Sequence, residues 1–186
     1  MIHDPKLIQI IEKLPRRTFD GPVFRATGQN ADPKAFSSSG GRWAPPDGAE
    51  GGCSILYTST ERNGALAEVA SYLSLLTPVP TKPLVVHTLD VAPENALELA
   101  VGDFEGFGID RAKYFERNYQ RTQLIGAAIN FLELDGLLAP SARWECENRM
   151  IFESNYKLDL KLEVISSEMV SYEDWQALSG CERRFD

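Results

Sequence analysis

Apolar residues recur at helical spacing in three stretches of the chain. They form one short stripe in residues 4–14, a second in residues 60–76 and a third in about residues 111–134. Positions three and four residues apart share one face of a helix, so we predict three amphipathic helices. A short final helix is predicted at about residues 170–180.

Short runs rich in β-branched and apolar residues lie between these helical stretches. The predicted strands are residues 21–26, 54–59, 83–91, 148–152 and 158–165, with a brief extended piece at 137–141. Strands mixed with inserted helices indicate the α+β class. We expect a single domain over residues 1–186. Its core covers about residues 20–160, and the helices at 4–14 and 170–180 are appendages.

Residues 27–52 form a long stretch without periodicity, rich in Gly, Ser, Pro, Asp and Asn. Loops of this length in compact domains are usually functional or disordered. The segment SSSGGRWAPP contains Arg42 and Trp43, which a simple spacer does not need. Two interpretations follow: a linker, or a loop that contributes to a site.

Composition narrows the range of partners. The chain has 186 residues and a formal net charge of −8, which argues against a nucleic-acid or anionic-membrane partner and is compatible with a basic protein partner. Three cysteines without a CxxC pair argue against a disulfide framework or a cysteine-rich zinc site, and two histidines argue against a multi-histidine metal site. With no signal-peptide pattern and no long apolar run, a cytoplasmic protein is expected.

Glu68 is the first candidate for chemistry. It lies near the edge of the apolar face of the helix predicted at residues 60–76. The strand that carries Tyr57 runs directly into this helix. Taken alone, Glu68 reads as an ordinary, partly exposed helix glutamate, and only its neighbours give it a functional interpretation.

Two arginines and a tryptophan are further candidates. Arg25, in the short strand VFRA, is either a solvent-facing arginine or a fork for phosphate oxygens. Arg42 follows two glycines, which allow close backbone approach. Trp43 either packs in the hydrophobic core or lines a binding site. Taken alone, Ser141 reads as an ordinary turn residue, and Asn148 reads as a residue that makes a capping or bulge hydrogen bond.

The order of these short motifs resembles the RES domain family. They are Phe24-Arg25, Gly40-Gly41-Arg42-Trp43, Tyr57-Thr58-Ser59, Ala65 to Val69 with Glu68, Pro140-Ser141, and Asn148. The resemblance covers roughly residues 20 to 160. It implies a fold similar to that of ADP-ribosyltransferase toxins. It also implies consumption of NAD⁺ as a substrate without a metal, by hydrolysis, phosphorolysis or transfer of ADP-ribose to a protein. Many members are toxins paired with an antitoxin that often has a helix-turn-helix DNA-binding domain.

The resemblance assigns roles to individual residues. Glu68 would stabilise positive charge on the ribose, and Arg25 would bind the diphosphate with help from Arg42. Tyr57 would stack on nicotinamide or ribose, and Ser141 would bond the ribose or hold Glu68. Trp43 and Asn148 are expected at the binding site. A non-catalytic NAD⁺-binding module, a protein-interaction domain, a protein-modifying ADP-ribosyltransferase and a homodimer remain open alternatives.

Overall fold

The computed structural model describes residues 4–157 and 159–185. In this part of the chain, eight strands form one sheet and four α-helices accompany it. The helices are α1 (Pro5–Lys13), α2 (Arg62–Leu73), α3 (Gln120–Phe131) and α4 (Tyr172–Gln176). The strands are β1 (Arg16–Arg17), β2 (Gly21–Gly28), β3 (Ile55–Ser59), β4 (Leu84–Val91), β5 (Ala96–Glu98), β6 (Gly136–Pro140), β7 (Glu147–Phe152) and β8 (Leu162–Val170). The predicted α+β class is confirmed; the likeness to ADP-ribosyltransferases stays a prediction.

The sheet is mixed, with strand order β1-β5-β6-β7-β3-β2-β4-β8. Strands β5 and β6 pair in parallel, while the other neighbouring pairs are antiparallel. Strands β2 and β3 meet at a single residue pair, Phe24 with Ser59. Beyond that pair, the loop between them fills the gap, and Ser37 forms an isolated bridge with Ile55. The long loop is therefore bonded to the edge of β3 and belongs to the domain body.

The two terminal helices contribute to the core, although the sequence suggested appendages. Asp4 caps α1 by accepting from the Lys6 amide at 2.9 Å. Leu7 and Ile11, on the apolar face of α1, are buried in the largest core cluster. Trp175 of α4 is fully buried beside residues of α2.

The helix predicted at about residues 111–134 is wrong at its start. Only Gln120–Phe131 is α-helical, and a short 3₁₀ turn at Arg111–Lys113 precedes it. The side chain of Arg42 binds two backbone carbonyls of the intervening segment, those of Tyr114 and Glu116. These two carbonyls accept hydrogen bonds from a distant arginine in place of the amides of an α-helix. Tertiary bonding thus overrides the helical spacing of the apolar residues.

The predicted strands are present with small changes of boundary. The last one begins at Leu162, whereas the expected start at Leu158 lies outside the described residues, as does His3. In the described helices, no segment is long and apolar enough to cross a membrane.

Candidate active site

Glu68 is held by two side chains that come from outside its own helix. Ser141 Oγ donates to Glu68 Oε1 at 2.7 Å, and Asn148 Nδ2 donates to the same oxygen at 2.8 Å. Glu68 is half-buried on α2, Ser141 follows β6, and Asn148 lies in β7. Two elements outside α2 thus fix one carboxylate oxygen, and no hydrogen bond joins Oε2 to any described residue.

The hydroxyl of Ser141 is itself fixed by the backbone. It is fully buried and accepts from the amides of Arg143 and Trp144, at 3.1 and 3.2 Å. A serine hydroxyl has one donor and two acceptor positions, so these two contacts leave its proton for Glu68. The tight turn after β6 therefore orients the carboxylate without a flexible intermediary.

A close contact brings α2 against the sheet near Glu68. A Cβ on Gly64 would lie 2.5 Å from both Ser59 Oγ and Cys146 Sγ, so a larger residue here would force these side chains or the helix to move. Asn148 pairs with Ser59 across β7 and β3. The absence of a side chain at Gly64 thus lets the first turn of α2 rest on the end of β3 and on Cys146, directly before the strand that supplies Asn148.

The SSSGGRWAPP loop is packed tightly, which excludes a free linker. Gly40 has a φ of 80°, and a Cβ there would lie 2.8 Å from the Pro46 nitrogen. Trp43 is fully buried in the largest core cluster. Its carbonyl oxygen lies 1.6 Å from where a Cβ on Gly126 would be, so α3 accepts the loop only at a glycine. Trp43 is a core anchor in this structure, and its burial leaves little surface for a ligand.

Arg42 extends from this loop into an aromatic clamp. Its guanidinium carbon lies 4.6 Å from the ring centre of Tyr114 and 4.7 Å from that of Tyr119. Burial raises the pKa of the Tyr114 phenol; among the charged groups, Arg42 has the largest effect and lowers that pKa, and Glu68 raises it. The same phenol therefore feels both charged groups, which places Arg42 in the electrostatic surroundings of the candidate carboxylate.

Tyr57 lies on the same face of β3 as Ser59 and packs against the largest core cluster. Its hydroxyl is buried without a hydrogen bond of full geometry, although the backbone of Trp43 lies close to it. Burial raises the pKa of this phenol, an effect that the nearby Trp43 backbone partly opposes. A Cβ on Gly41 would lie 2.7 Å from the hydroxyl, so Gly41 is what lets the loop cross Tyr57.

Comparison with known proteins identifies the family. The family model described as the RES domain matches residues 22–172, most of the chain. The chain belongs to the RES domain family. No curated protein matches the sequence. Among solved structures, it is similar to one chain of "Crystal structure of the M.tuberculosis MbcT-MbcA toxin-antitoxin complex", with a TM-score of 0.77 and 21% sequence identity. The match covers 95% of this chain and 98% of that chain, and at this identity it shows a shared fold.

Of the residues predicted for the site of this RES domain, Ser141 and Asn148 contact Glu68 directly, whereas Arg25 lies on the other face of the sheet. Phe24, its neighbour in β2, packs with the α2 side of the sheet, whereas Val23 packs in the cluster on the other face. Since side chains alternate along a strand, Arg25 points away from α2. Its Nη2 donates to the Ala35 carbonyl at 2.6 Å, and its Nη1 is buried without a partner. Burial lowers the pKa of Arg25, and Asp32 opposes that shift.

The RES domain also places residues at the site that the motif order did not single out. Arg143 is buried directly after the Ser141 turn, and Arg117 donates to Ser71 of α2. Burial lowers the pKa of Arg143, as does Arg117, while Glu68 raises it. In the sequence, Tyr114 occupies an apolar position of a predicted helix. No local pattern marks Arg117 or Arg143, because the fold brings them to the site from segments distant from Glu68 in sequence.

Two cavities flank the Ser141 turn, each of about 310 Å³, the low end of the size of ligand pockets. One is lined by Pro140, Cys146 and Arg183 among others. The other is lined by Ser71 and Arg143 among others. Glu68 lines neither, but the second cavity begins one helical turn after it on α2. In the described residues, no group of three or more His, Cys, Asp or Glu is arranged for a metal ion.

Proposed function

We propose that this RES domain cleaves the nicotinamide–ribose bond of NAD⁺, with Glu68 as the carboxylate that stabilises the transition state. The observation that carries the proposal is the pair of side-chain donors on one oxygen of Glu68, from Ser141 and Asn148. A carboxylate fixed in advance by a turn and a strand is suited to stabilise charge as it develops, because it need not reorganise during the reaction.

The chemistry follows from the bond that breaks. The C1′–N bond cleaves with its electron pair leaving on the nicotinamide nitrogen, so nicotinamide departs neutral and positive charge develops on the ribose. A water oxygen then bonds to C1′ and releases its proton to solvent, or an anionic oxygen of phosphate bonds to C1′ with no proton to lose. The carboxylate of Glu68 stabilises the positively charged ribose, and its second oxygen, Oε2, is available to a ribose hydroxyl.

Asn148 supplies a second group for the ribose. Its Oδ1 is buried and has no hydrogen-bond partner among the described residues. Buried polar atoms are rarely left unpaired unless a ligand or water satisfies them. A ribose hydroxyl that donates to Oδ1 would complete the amide, while Nδ2 continues to hold Glu68. The Tyr57 ring and Arg42 stay proposed contacts for the nicotinamide ring and the negatively charged part of the substrate.

The proposed biological setting is a toxin held in check by an antitoxin. The structural neighbour comes from a toxin–antitoxin complex, and the family resemblance implies the same arrangement. We propose a cognate antitoxin protein as the partner, with a helix-turn-helix DNA-binding domain. The net charge of −8 favours contact with a protein that presents basic residues over direct binding of nucleic acid.

Nicotinamide release from NAD⁺ tests the proposal directly. The wild-type chain should release nicotinamide, with phosphate raising the rate if phosphate is the acceptor. Glu68→Gln should lower the rate by about 100-fold or more, the scale seen when one transition-state contact is removed. Glu105→Gln, which alters an exposed glutamate, is the matched control.

Three results would identify a different function. Binding of NAD⁺ without turnover would select a binding module, and labelling of a protein from radiolabelled NAD⁺ would select an ADP-ribosyltransferase. No response to NAD⁺ under hydrolytic, phosphorolytic and protein-acceptor conditions would leave an interaction domain and refute the proposal.

A further inference from the structure

Arg143 is a buried cation without a close counterion. Its side chain is 4% exposed, and its charge partner, Glu182 Oε1, lies 3.9 Å from Nη1. No hydrogen bond joins the guanidinium to another described residue, and Glu182 itself is 45% exposed. A buried charge is costly unless it is paired and hydrogen-bonded. A distance of 3.9 Å is well beyond the 2.7–2.9 Å typical of a charge-assisted hydrogen bond, so Arg143 has unused capacity for an anion.

This guanidinium lines the second cavity, of about 310 Å³, together with Arg117 and Ser71. Arg117 Nη2 donates to both the carbonyl oxygen and Oγ of Ser71, each at 2.6 Å, which ties its head to α2. Ser74 lies one turn further along the same side of the cavity. Ser74 Oγ donates its proton to the Ser71 carbonyl, so the free donors are the two guanidinium groups and the Ser71 hydroxyl, whose oxygen accepts from Arg117. Glu116 and Glu182 also line this space, and the guanidinium groups are the donors that match phosphate oxygens.

The cavity lies beside the site around Glu68, because its lining residues follow those of the site closely along the chain. Ser71 follows Glu68 by three residues on α2, so the two lie on the same face about one helical turn, roughly 5 Å, apart. Arg143 follows Ser141 by two residues, and its amide donates to the Ser141 hydroxyl that holds Glu68. Two of the three chain segments that build the carboxylate site, α2 and the turn after β6, therefore continue into the walls of the cavity.

We infer that Arg143 and Arg117 form a subsite for a phosphoryl group beside Glu68. The half-exposed Glu182 carboxylate now lies nearest to Arg143, and a phosphate with three acceptor oxygens would replace it with shorter, bidentate contacts. The phosphoryl group has two sources: inorganic phosphate as an acceptor, or the diphosphate of the dinucleotide. The inference deepens the proposed function and rests on it for the identity of the source, whereas the anion site itself can be tested without turnover.

Calorimetric titration of the full chain with inorganic phosphate and with ADP-ribose is the test. We expect Arg143→Gln and Arg117→Gln each to weaken binding of at least one of the two by about tenfold or more, because each removes charged hydrogen bonds. Arg111→Gln, which alters an exposed arginine of the 3₁₀ turn, is the charge-matched control and should bind as the wild type does.

Two further variants separate an anion site from a structural role. If Arg143→Gln fails to fold, Arg143→Lys replaces it in the test, because lysine keeps the positive charge. The lysine variant should bind phosphate or ADP-ribose more weakly than wild type, because it lacks the planar guanidinium fork. Glu182→Gln removes the competing carboxylate and should tighten binding, an effect that a purely structural Arg143 would not produce. If neither ligand binds, or if both bind equally to wild type and all arginine variants, the inference is wrong.

Competition identifies the source of the phosphoryl group. If saturating ADP-ribose abolishes phosphate binding, the subsite holds the diphosphate of the dinucleotide. If phosphate and ADP-ribose bind together, it holds an acceptor phosphate. Glu68→Gln should retain phosphate binding even though it loses nicotinamide release. Phosphate binding without any cleavage of NAD⁺ by wild type would therefore refute the proposed function and leave the anion site intact.

Discussion

The hydroxyl of Ser141 donates to the carboxylate of Glu68 at 2.7 Å, across 73 residues of sequence. The hydroxyl oxygen accepts hydrogen bonds from two backbone amides, so its proton is left to point at Glu68. This relationship makes the turn after β6 a positioning device for a carboxylate on α2. It also gives the site a property that can be tested separately from substrate binding: the orientation of Glu68 should affect turnover more than affinity.

Ser141→Ala should lower kcat by about 10- to 100-fold while the KM for NAD⁺ changes little, because the lost contact serves the transition state. The variant should also lose about 1–3 kcal/mol of unfolding free energy, since two buried amides lose their acceptor. Steady-state kinetics and denaturant melts measure the two effects.

Ser171→Ala is the matched control for the loss of stability. Ser171 caps α4 by accepting from the Asp174 amide, away from Glu68. Its loss should cost about 1 kcal/mol and leave kcat unchanged. Equal loss of activity in both variants would mean that Ser141 acts only through stability.

Gly126→Ala should prevent folding or reduce stability severely. Its Cβ would lie 1.6 Å from the Trp43 carbonyl oxygen, so α3 and the SSSGGRWAPP loop would have to separate. Gly102→Ala, where a Cβ meets nothing within 4 Å, is the control and should fold normally. Thermal unfolding monitored by circular dichroism compares them. A stable Gly126→Ala protein would show that the loop is not anchored on α3.

Local pattern predicted much of the secondary structure, since α2 and β4 are almost where helical spacing and β-branched runs put them. It failed where distant side chains bind the backbone. The segment before Gln120 has apolar residues at helical spacing, yet two of its backbone carbonyls accept hydrogen bonds from the Arg42 side chain. No periodicity in the sequence of that segment records this contact, because the arginine lies about 70 residues earlier.

Part of the candidate site could be predicted from the sequence, namely the residues that belong to short local motifs. The resemblance listed Glu68, Ser141 and Asn148, and the structure brings these three together. Arg25 could not be assigned to a face, because Val23 and Phe24 are both apolar and the strand shows no alternation. The burial of Arg143 arises from packing against residues far away in sequence, so only the fold reveals it.

Arg42→Ala and Trp43→Ala should have opposite main effects. Trp43→Ala should lose about 3–5 kcal/mol of stability, as large core truncations do. Arg42→Ala should mainly raise the KM for NAD⁺. It should also increase hydrogen exchange in the segment around Tyr114, whose carbonyl it binds at 2.7 Å. Calorimetric melts, kinetics and exchange measurements distinguish the two. An unchanged KM in Arg42→Ala would remove Arg42 from the binding site.

His87 should make the protein less stable as pH falls below neutral. It is buried in β4 and bonds Thr27 at 2.9 Å and Ser167 at 2.7 Å. Burial lowers its pKa, and the opposite Arg25 lowers it further. The unfolded chain therefore binds a proton at about pH 6.5, its ordinary value, before the native protein does. Since stability falls where the unfolded state binds more protons, the loss begins near pH 6.5 and ends below the native pKa.

His87→Gln tests this prediction, because glutamine can bond the same hydroxyls but does not titrate. Its unfolding free energy, measured by urea melts from pH 7.5 to 5, should fall less steeply between pH 6.5 and 5.5 than that of wild type. The carboxylates are common to both proteins, so the difference between the two curves isolates the histidine. Parallel curves would mean that His87 titrates at the same pH in the native and unfolded states.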